Sequence, residues 1–171
     1  EITMKMSSLS RRKFLGLSTA GAAEILLAPK TPLLQTQQQN KPPALNPELV
    51  KEFVIAGHGN LDRVKELLAQ EPGLLNATWD WGGGDFETAL GGAGHMGRKD
   101  IAEFLINKGC RMDIFVVTML GKLDVVKAML TAYPELIHSK GPHGLTFLHH
   151  ARKGGEEAAV VLKYLESLGA A

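Results

Sequence analysis

Cysteine is all but absent. Cys110 is the single one in 171 residues, which excludes an internal disulfide framework and a zinc site built from several thiolates. Long apolar runs are missing too: nowhere do 18 consecutive apolar residues occur, so no conventional membrane span is encoded. Nor is charge of one sign in excess, the formal net charge being +1. That near-balance conceals a basic leader and an acidic body. From Pro42 onward 13 Lys and Arg face 16 Asp and Glu, a net of −3. A body of that sign lacks the concentrated positive surface that nucleic-acid binding requires. What is present is ordinary for a globular protein, with 44% apolar and 22% charged residues. That composition excludes wholesale disorder, and the length suits about one domain.

The leader differs in kind from the body. Ser10-Arg11-Arg12-Lys13-Phe14-Leu15-Gly16 opens a short, mildly apolar stretch rich in Gly, Ala, Ser and Thr that reaches Ala28, interrupted by Glu24. A basic patch ahead of a weakly hydrophobic run has the layout of an export signal. Arg11, Arg12, Phe14 and Leu15 resemble the bacterial twin-arginine signal, which is an address read by a receptor. Residues 1–30 are therefore expected to be a targeting segment and 31–46, rich in Gln and Pro, a disordered linker. The address implied is the periplasm or another exported location, with no stable membrane insertion afterwards.

Residues 47–171 repeat themselves. Gly59-Asn-Leu-Asp-Arg-Val-Lys-Glu-Leu-Leu68, Gly97-Arg-Lys-Asp-Ile-Ala-Glu-Phe-Leu-Ile106 and Gly121-Lys-Leu-Asp-Val-Val-Lys-Ala-Met-Leu130 align, with a looser copy from Gly155 to Leu165. In the first three, glycine is followed three residues later by Asp and then by apolar residues at helical spacing. The glycine suits a left-handed end to one helix, and the Asp suits the positive end of the next. Shorter small-residue stretches precede the glycines, as in Thr88 to Met96 and Ile114 to Leu120. Each unit is thus predicted to be a pair of antiparallel helices.

Thr88-Ala-Leu, Gly97 and Ile101-Ala-Glu-Phe-Leu-Ile-Asn-Lys-Gly109-Cys110 resemble the ankyrin repeat pattern. Gly144-Leu-Thr-Phe-Leu-His-His-Ala151 resembles it as well, with Phe147 where proline is usual and His149 in the histidine slot. The resemblance implies an all-α, ankyrin-type helical solenoid of about four helix-pair repeats joined by finger loops. In such an array each unit depends on its neighbours for stability. It also implies that His149 bonds between repeats and that Cys110, in the alanine slot, is a small buried filler.

The array is irregular where it is most informative. Successive glycines lie 38, 24 and 34 residues apart, so the second connection is truncated against a repeat of about 33 residues and leaves no room for a finger after Gly109. The connection before it, Asn76 to Glu87, is overlong and carries Trp79, Trp81 and Phe86. A recess is expected beside the missing finger, floored by Phe115 and Met119. Trp79 and Trp81 either cap core exposed by the truncation or form an aromatic binding surface. Gly91, Gly92 and Gly94 weaken a predicted helix by about 0.8–1 kcal/mol each relative to Ala. They make room either for a packed tryptophan or for a ligand against bare backbone. Gly82-Gly83-Gly84 is a turn, since no Lys-Ser/Thr follows it as a phosphate loop requires.

No catalytic set is legible. His95 with Asp85 or Glu87 could form an acid–base pair, but no nucleophile accompanies them. His138, His143, His149 and His150 are close in sequence without an evident convergent set, so no metal and no cofactor are assigned. The expected function is that of a non-enzymatic, monomeric module binding a protein or peptide. Its contact residues are Trp79, Asp80, Trp81, Asp85, Phe86 and Glu87 on the large finger, His95 and Met96 at a helix end, and His143 on the last finger. The acidic residues in that set point to a basic or amide-rich partner. A small-molecule binder or enzyme using the recess is the alternative.

Overall fold

Eight α-helices and one short hairpin account for most of residues 42–170, the part of the chain that the computed structural model describes. Arg11, Arg12, Phe14, Leu15 and the linker up to residue 41 lie outside the described residues. Helices begin where a side chain can accept the unpaired N–H groups of a first turn. Asn46 caps α1 (Pro47–Gly57), Asn60 caps α2 (Leu61–Gln70) and Thr88 caps α3 (Ala89–Met96). Asp113 caps α5 (Ile114–Met119) and Thr146 caps α7 (Phe147–Lys153). In α4 (Lys99–Asn107) and α6 (Leu123–Ala132) no side chain caps, and Asp100 and Asp124 sit in the first turn at the positive end of the helix. A 3-10 turn, Gly155–Ala158, leads into α8 (Ala159–Ser167).

Gly97 and Gly121 adopt φ of 74° and 70° and close α3 and α5 as the spacing predicts. Gly59 does not share that conformation, because α1 ends through a right-handed His58. The linker also gives way earlier than residue 47: Leu45 packs on the core and Asn46 is already the α1 cap.

The helices pack as four pairs, with α1, α3, α5 and α7 side by side in chain order. All six residues of α5 are buried; five are apolar, and the Thr118 hydroxyl is satisfied by donating to the Ile114 carbonyl. Val116 and Met119 join a cluster with Phe53, Leu67, Leu90 and Leu105. Ile114, Phe115 and Val117 join a second cluster with Val126, Phe147 and Val161. Full burial of each such side chain is worth about 1.5–3 kcal/mol, so this short helix cements both halves. Stacking is not purely nearest-neighbour: α3 also packs directly on α7. His149 Nε2 lies 2.9 Å from the His95 carbonyl oxygen, a direct bond from α7 to α3.

Between α2 and α3 the large finger folds as an antiparallel hairpin, β1 (Thr78–Asp80) with β2 (Phe86–Thr88), pairing Trp79 with Glu87. No strand connects α4 to α5 among the described residues, and two 3-10 turns, Pro134–His138 and Pro142–Gly144, connect α6 to α7. The recess between these connections has a volume of about 320 Å³ and is bordered by Phe86, Gly91, Phe115 and Lys140. Met119, expected beside Phe115 on its floor, is instead fully buried, one turn deeper along α5 and enclosed by the first cluster.

The α3 glycines make room chiefly for a neighbour other than tryptophan. A Cβ on Gly92 would stand 2.9 Å from two atoms of the His58 ring, and one on Gly94 would stand 3.0 Å from Val116. A Cβ on Gly91 would meet only ordinary contacts at 3.5 Å. Gly91→Ala is therefore expected to raise the unfolding free energy by about 0.8–1 kcal/mol through helix propensity. Gly92→Ala is expected to lower it by about 1–3 kcal/mol through overpacking against His58. Urea denaturation of the two variants measures both; equal shifts of one sign would remove His58 as the reason for Gly92.

Candidate functional site

Strand alternation decides what the large finger offers to the interior. In β2, Glu87 points inward and Phe86 outward. Glu87 is only 1% exposed, and a buried carboxylate needs partners for both oxygens. Oε1 lies 2.8 Å from His95 Nε2 on α3, and Oε2 accepts from the Trp81 indole N–H at 2.8 Å. His58, just past the end of α1, brings its Nε2 to 3.3 Å from Oε2. His143, on the turn before α7, brings its own Nε2 to 3.4 Å from the same oxygen. Four separate elements thus converge on one carboxylate.

The outward-facing ring nitrogens are held as well. Carbonyl and carboxylate oxygens only accept hydrogen bonds, so His58 donates from Nδ1 to the Val54 carbonyl at 3.0 Å and His143 donates from Nδ1 to Asp85 at 2.8 Å. Asp85 also accepts the His143 backbone N–H. These bonds fix the tautomers when the rings are neutral and leave both Nε2 atoms facing inward. His58 Nε2 and His95 Nε2 are 3.1 Å apart, a separation that accommodates one proton comfortably and two poorly.

Burial alone would push the Glu87 carboxyl up. Hydrogen bonds from His58, His95 and Trp81, with the charge of His58, outweigh it and hold Glu87 well below the usual carboxylate range. The hydrogen bond to Glu87 raises the His58 imidazole against the opposing effect of its burial. Asp85 is held down chiefly by the His143 backbone N–H. His150 lies outside the cluster, donating to the Thr146 carbonyl, and burial lowers its basicity. Cys110 is buried, its thiol donates to the Leu75 carbonyl, and burial pushes it up.

Of the nine residues expected to contact a partner, Trp81, Asp85, Glu87, His95 and His143 meet in this cluster. Glu87 and His95 are buried and cannot serve as surface contacts, because their polar atoms are spent on each other. Trp79 packs half-buried on the first hydrophobic cluster. Asp80 shapes the glycine turn by accepting from Gly82 and Gly84. Phe86 and Met96 are exposed. Of the acids that suggested a basic partner, Glu87 is withdrawn from the surface and Asp85 is tied to His143, which leaves Asp80 exposed.

His58 was not anticipated. Its signal is nonetheless in the sequence: Ala56-Gly57-His58 and Ala93-Gly94-His95 are the same triplet at the ends of α1 and α3. In each copy the small residues let the inner helices approach closely. Among the described residues, His58, Glu87, His95 and His143 are the group that could hold a cation, with their ligand atoms all within 4.8 Å of one another. No protein-family model matches the chain, and neither does any curated protein.

The two shifts set opposite pH limits. A raised His58 contributes stability that is lost as pH rises through its folded value, and a depressed Glu87 contributes stability that is lost as pH falls through its own. In chelator-treated protein, NMR titration is expected to place the His58 imidazole above its ordinary value. Glu87→Gln should bring it below, since burial then acts without the carboxylate. An unchanged His58 midpoint in that variant would contradict the pairing.

Proposed function

We propose that the chain is an exported, non-enzymatic binding module of the ankyrin type, acting as a monomer on a protein or peptide partner. Its four helix pairs, with α1, α3, α5 and α7 side by side, support the repeat reading. So do the Thr88 and Thr146 caps, which open the two segments that resemble the ankyrin pattern, and the bond from His149 on α7 to the His95 carbonyl of the second pair. The missing strands after α4 and the direct packing of α3 on α7 are departures from an even solenoid.

One observation carries the binding reading: Phe86 is 60% exposed on a finger that is rigidly held. Asp85, the residue before it, is tied to His143, and Glu87, the residue after it, is bound to His95 and Trp81. An exposed aromatic in a fixed pose loses little entropy on docking, and aromatic anchors dominate interface energetics. Phe86 borders the recess of about 320 Å³, a size at the lower limit for small-molecule pockets and suited to one inserted apolar side chain of a partner. Met96, also exposed, lies at the opposite end of α3 from Phe86.

Affinity capture from the cell envelope on immobilised protein, wild type beside Phe86→Ala, tests this. Partner retention is expected to fall at least about tenfold, a loss on the scale of an aromatic anchor, while thermal stability stays put. Identical captured sets in identical amounts would remove Phe86 from the interface. For the export route, conversion of both Arg11 and Arg12 to Lys is expected to retain the chain in the cytoplasm; unaltered fractionation would refute it.

A further inference from the structure

We infer that His58, Glu87, His95 and His143 form a binding site for a divalent transition-metal ion, held by three imidazole Nε2 atoms and the Glu87 carboxylate. The site does not use the Phe86 side chain and goes beyond partner binding.

The first support is metric. Zn–N and Zn–O bonds of about 2.0–2.1 Å in a tetrahedron set neighbouring ligand atoms about 3.3–3.4 Å apart. The structure places His95 Nε2 at 2.8 Å and 3.1 Å from Glu87 Oε1 and His58 Nε2, and His58 and His143 Nε2 at 3.3 Å and 3.4 Å from Glu87 Oε2. The whole set lies within 4.8 Å. His95 faces one Glu87 oxygen while His58 and His143 face the other, so the proposed cation draws the three rings and the carboxylate together.

The second support is the outer layer. Metal-binding histidines donate their other ring N–H to a carbonyl or carboxylate, which fixes the tautomer and aims the lone pair. His58 does so to the Val54 carbonyl and His143 does so to Asp85. The Glu87 carboxylate is itself oriented by the Trp81 indole. His143 is held in a left-handed conformation, φ 58°, the only non-glycine residue with positive φ among those described. Such a conformation is disfavoured for most side chains, and here it brings the ring to Asp85 and Glu87 together.

The third support is proton accounting. Three nitrogen atoms face one carboxylate, and two of them stand 3.1 Å apart. With Nδ1 of His58 and of His143 donating outward, each Nε2 faces the carboxylate and needs a proton or a cation between them. A shared cation gives every lone pair a partner and neutralises the buried charge. Three imidazoles with one carboxylate suit zinc and its neighbours in the first transition row, whereas magnesium and calcium prefer all-oxygen shells.

The test uses the full chain, stripped with chelator and titrated with Zn²⁺ by calorimetry and with Co²⁺ by visible absorption. Expected are one equivalent of Zn²⁺ bound, a higher melting temperature, and the intense visible band of four-coordinate cobalt; Mg²⁺ should produce none of these. His143→Ala, at a partly exposed turn that the core does not need, should weaken Zn²⁺ binding at least tenfold. Asp85→Asn, a positioning change, should weaken it about 10–100-fold. His58→Ala provides a second ligand deletion, with folding checked by circular dichroism. Phe86→Ala should leave the metal isotherm unchanged, so a failed partner assay and a failed metal assay are told apart. No stoichiometric Zn²⁺ binding to the wild type would overturn the site, as would binding undiminished in folded His143→Ala and His58→Ala.

Discussion

A carboxylate taken out of water must be compensated where it lies, and Glu87 is the residue around which this protein is arranged. An ionised carboxylate in an apolar interior costs many kcal/mol unless it is paired and hydrogen-bonded. Here the compensation comes from every direction: the indole of Trp81, three imidazoles, and beyond them Asp85 and the Val54 carbonyl. Features that are odd one at a time follow from this need. Gly92 leaves room for the His58 ring. The register of the hairpin puts Glu87 opposite Trp79, whose own ring rests on the hydrophobic cluster beneath. The glycine tip lets the chain double back so that Trp81 can reach the second oxygen.

The irregular repeat lengths serve the same arrangement. With no finger after α4, α5 begins almost at once and is buried on all sides. Around this short helix α3 and α7 meet directly, and the last pair closes onto the second. That closure brings the Pro142–Gly144 turn, and His143 with it, back to a finger 58 residues earlier in the chain. In an evenly spaced solenoid, units that are not neighbours do not touch. Truncation at one connection and enlargement at another are complementary halves of one device.

Much of this was legible in the sequence, for identifiable reasons. Helix pairs and the shortened connection follow from local patterns: Gly then Asp at fixed spacing, and 24 residues between glycines that elsewhere stand 38 and 34 apart. The pairing of His95 with Glu87 was within reach because eight residues separate them across a strand and the helix that follows. His58 was not, since its distance in sequence from Glu87 is bridged only by the packing of α1 on α3. Likewise Asp85 and Glu87 read as surface acids because strand alternation shows which residues share a face, not which face is covered. The repeated Ala-Gly-His triplet carried the missing information, and it becomes meaningful only once the ends of α1 and α3 are known to meet.

The cluster and the finger surface are mechanically one object. Phe86 stands between Asp85 and Glu87 in the chain, so its position is fixed by the two residues that bind His143, His95 and Trp81. A cation on the Nε2 atoms would leave the His143 Nδ1–H free to keep its bond to Asp85, so the clamp on the finger survives metal binding and is stiffened by it. A protonated His58 holds Glu87 through one hydrogen bond; a metal would hold it together with three rings at once. Reciprocity then sets the energetics. Whatever the metal adds to the rigidity of Phe86, and so to partner affinity, partner binding must return as metal affinity by the same factor. If a partner docks on Phe86 and a cation on the cluster, the buried carboxylate at the root of the exposed aromatic couples the two, with a strength set by how far the finger relaxes when the cluster is empty of both proton and cation.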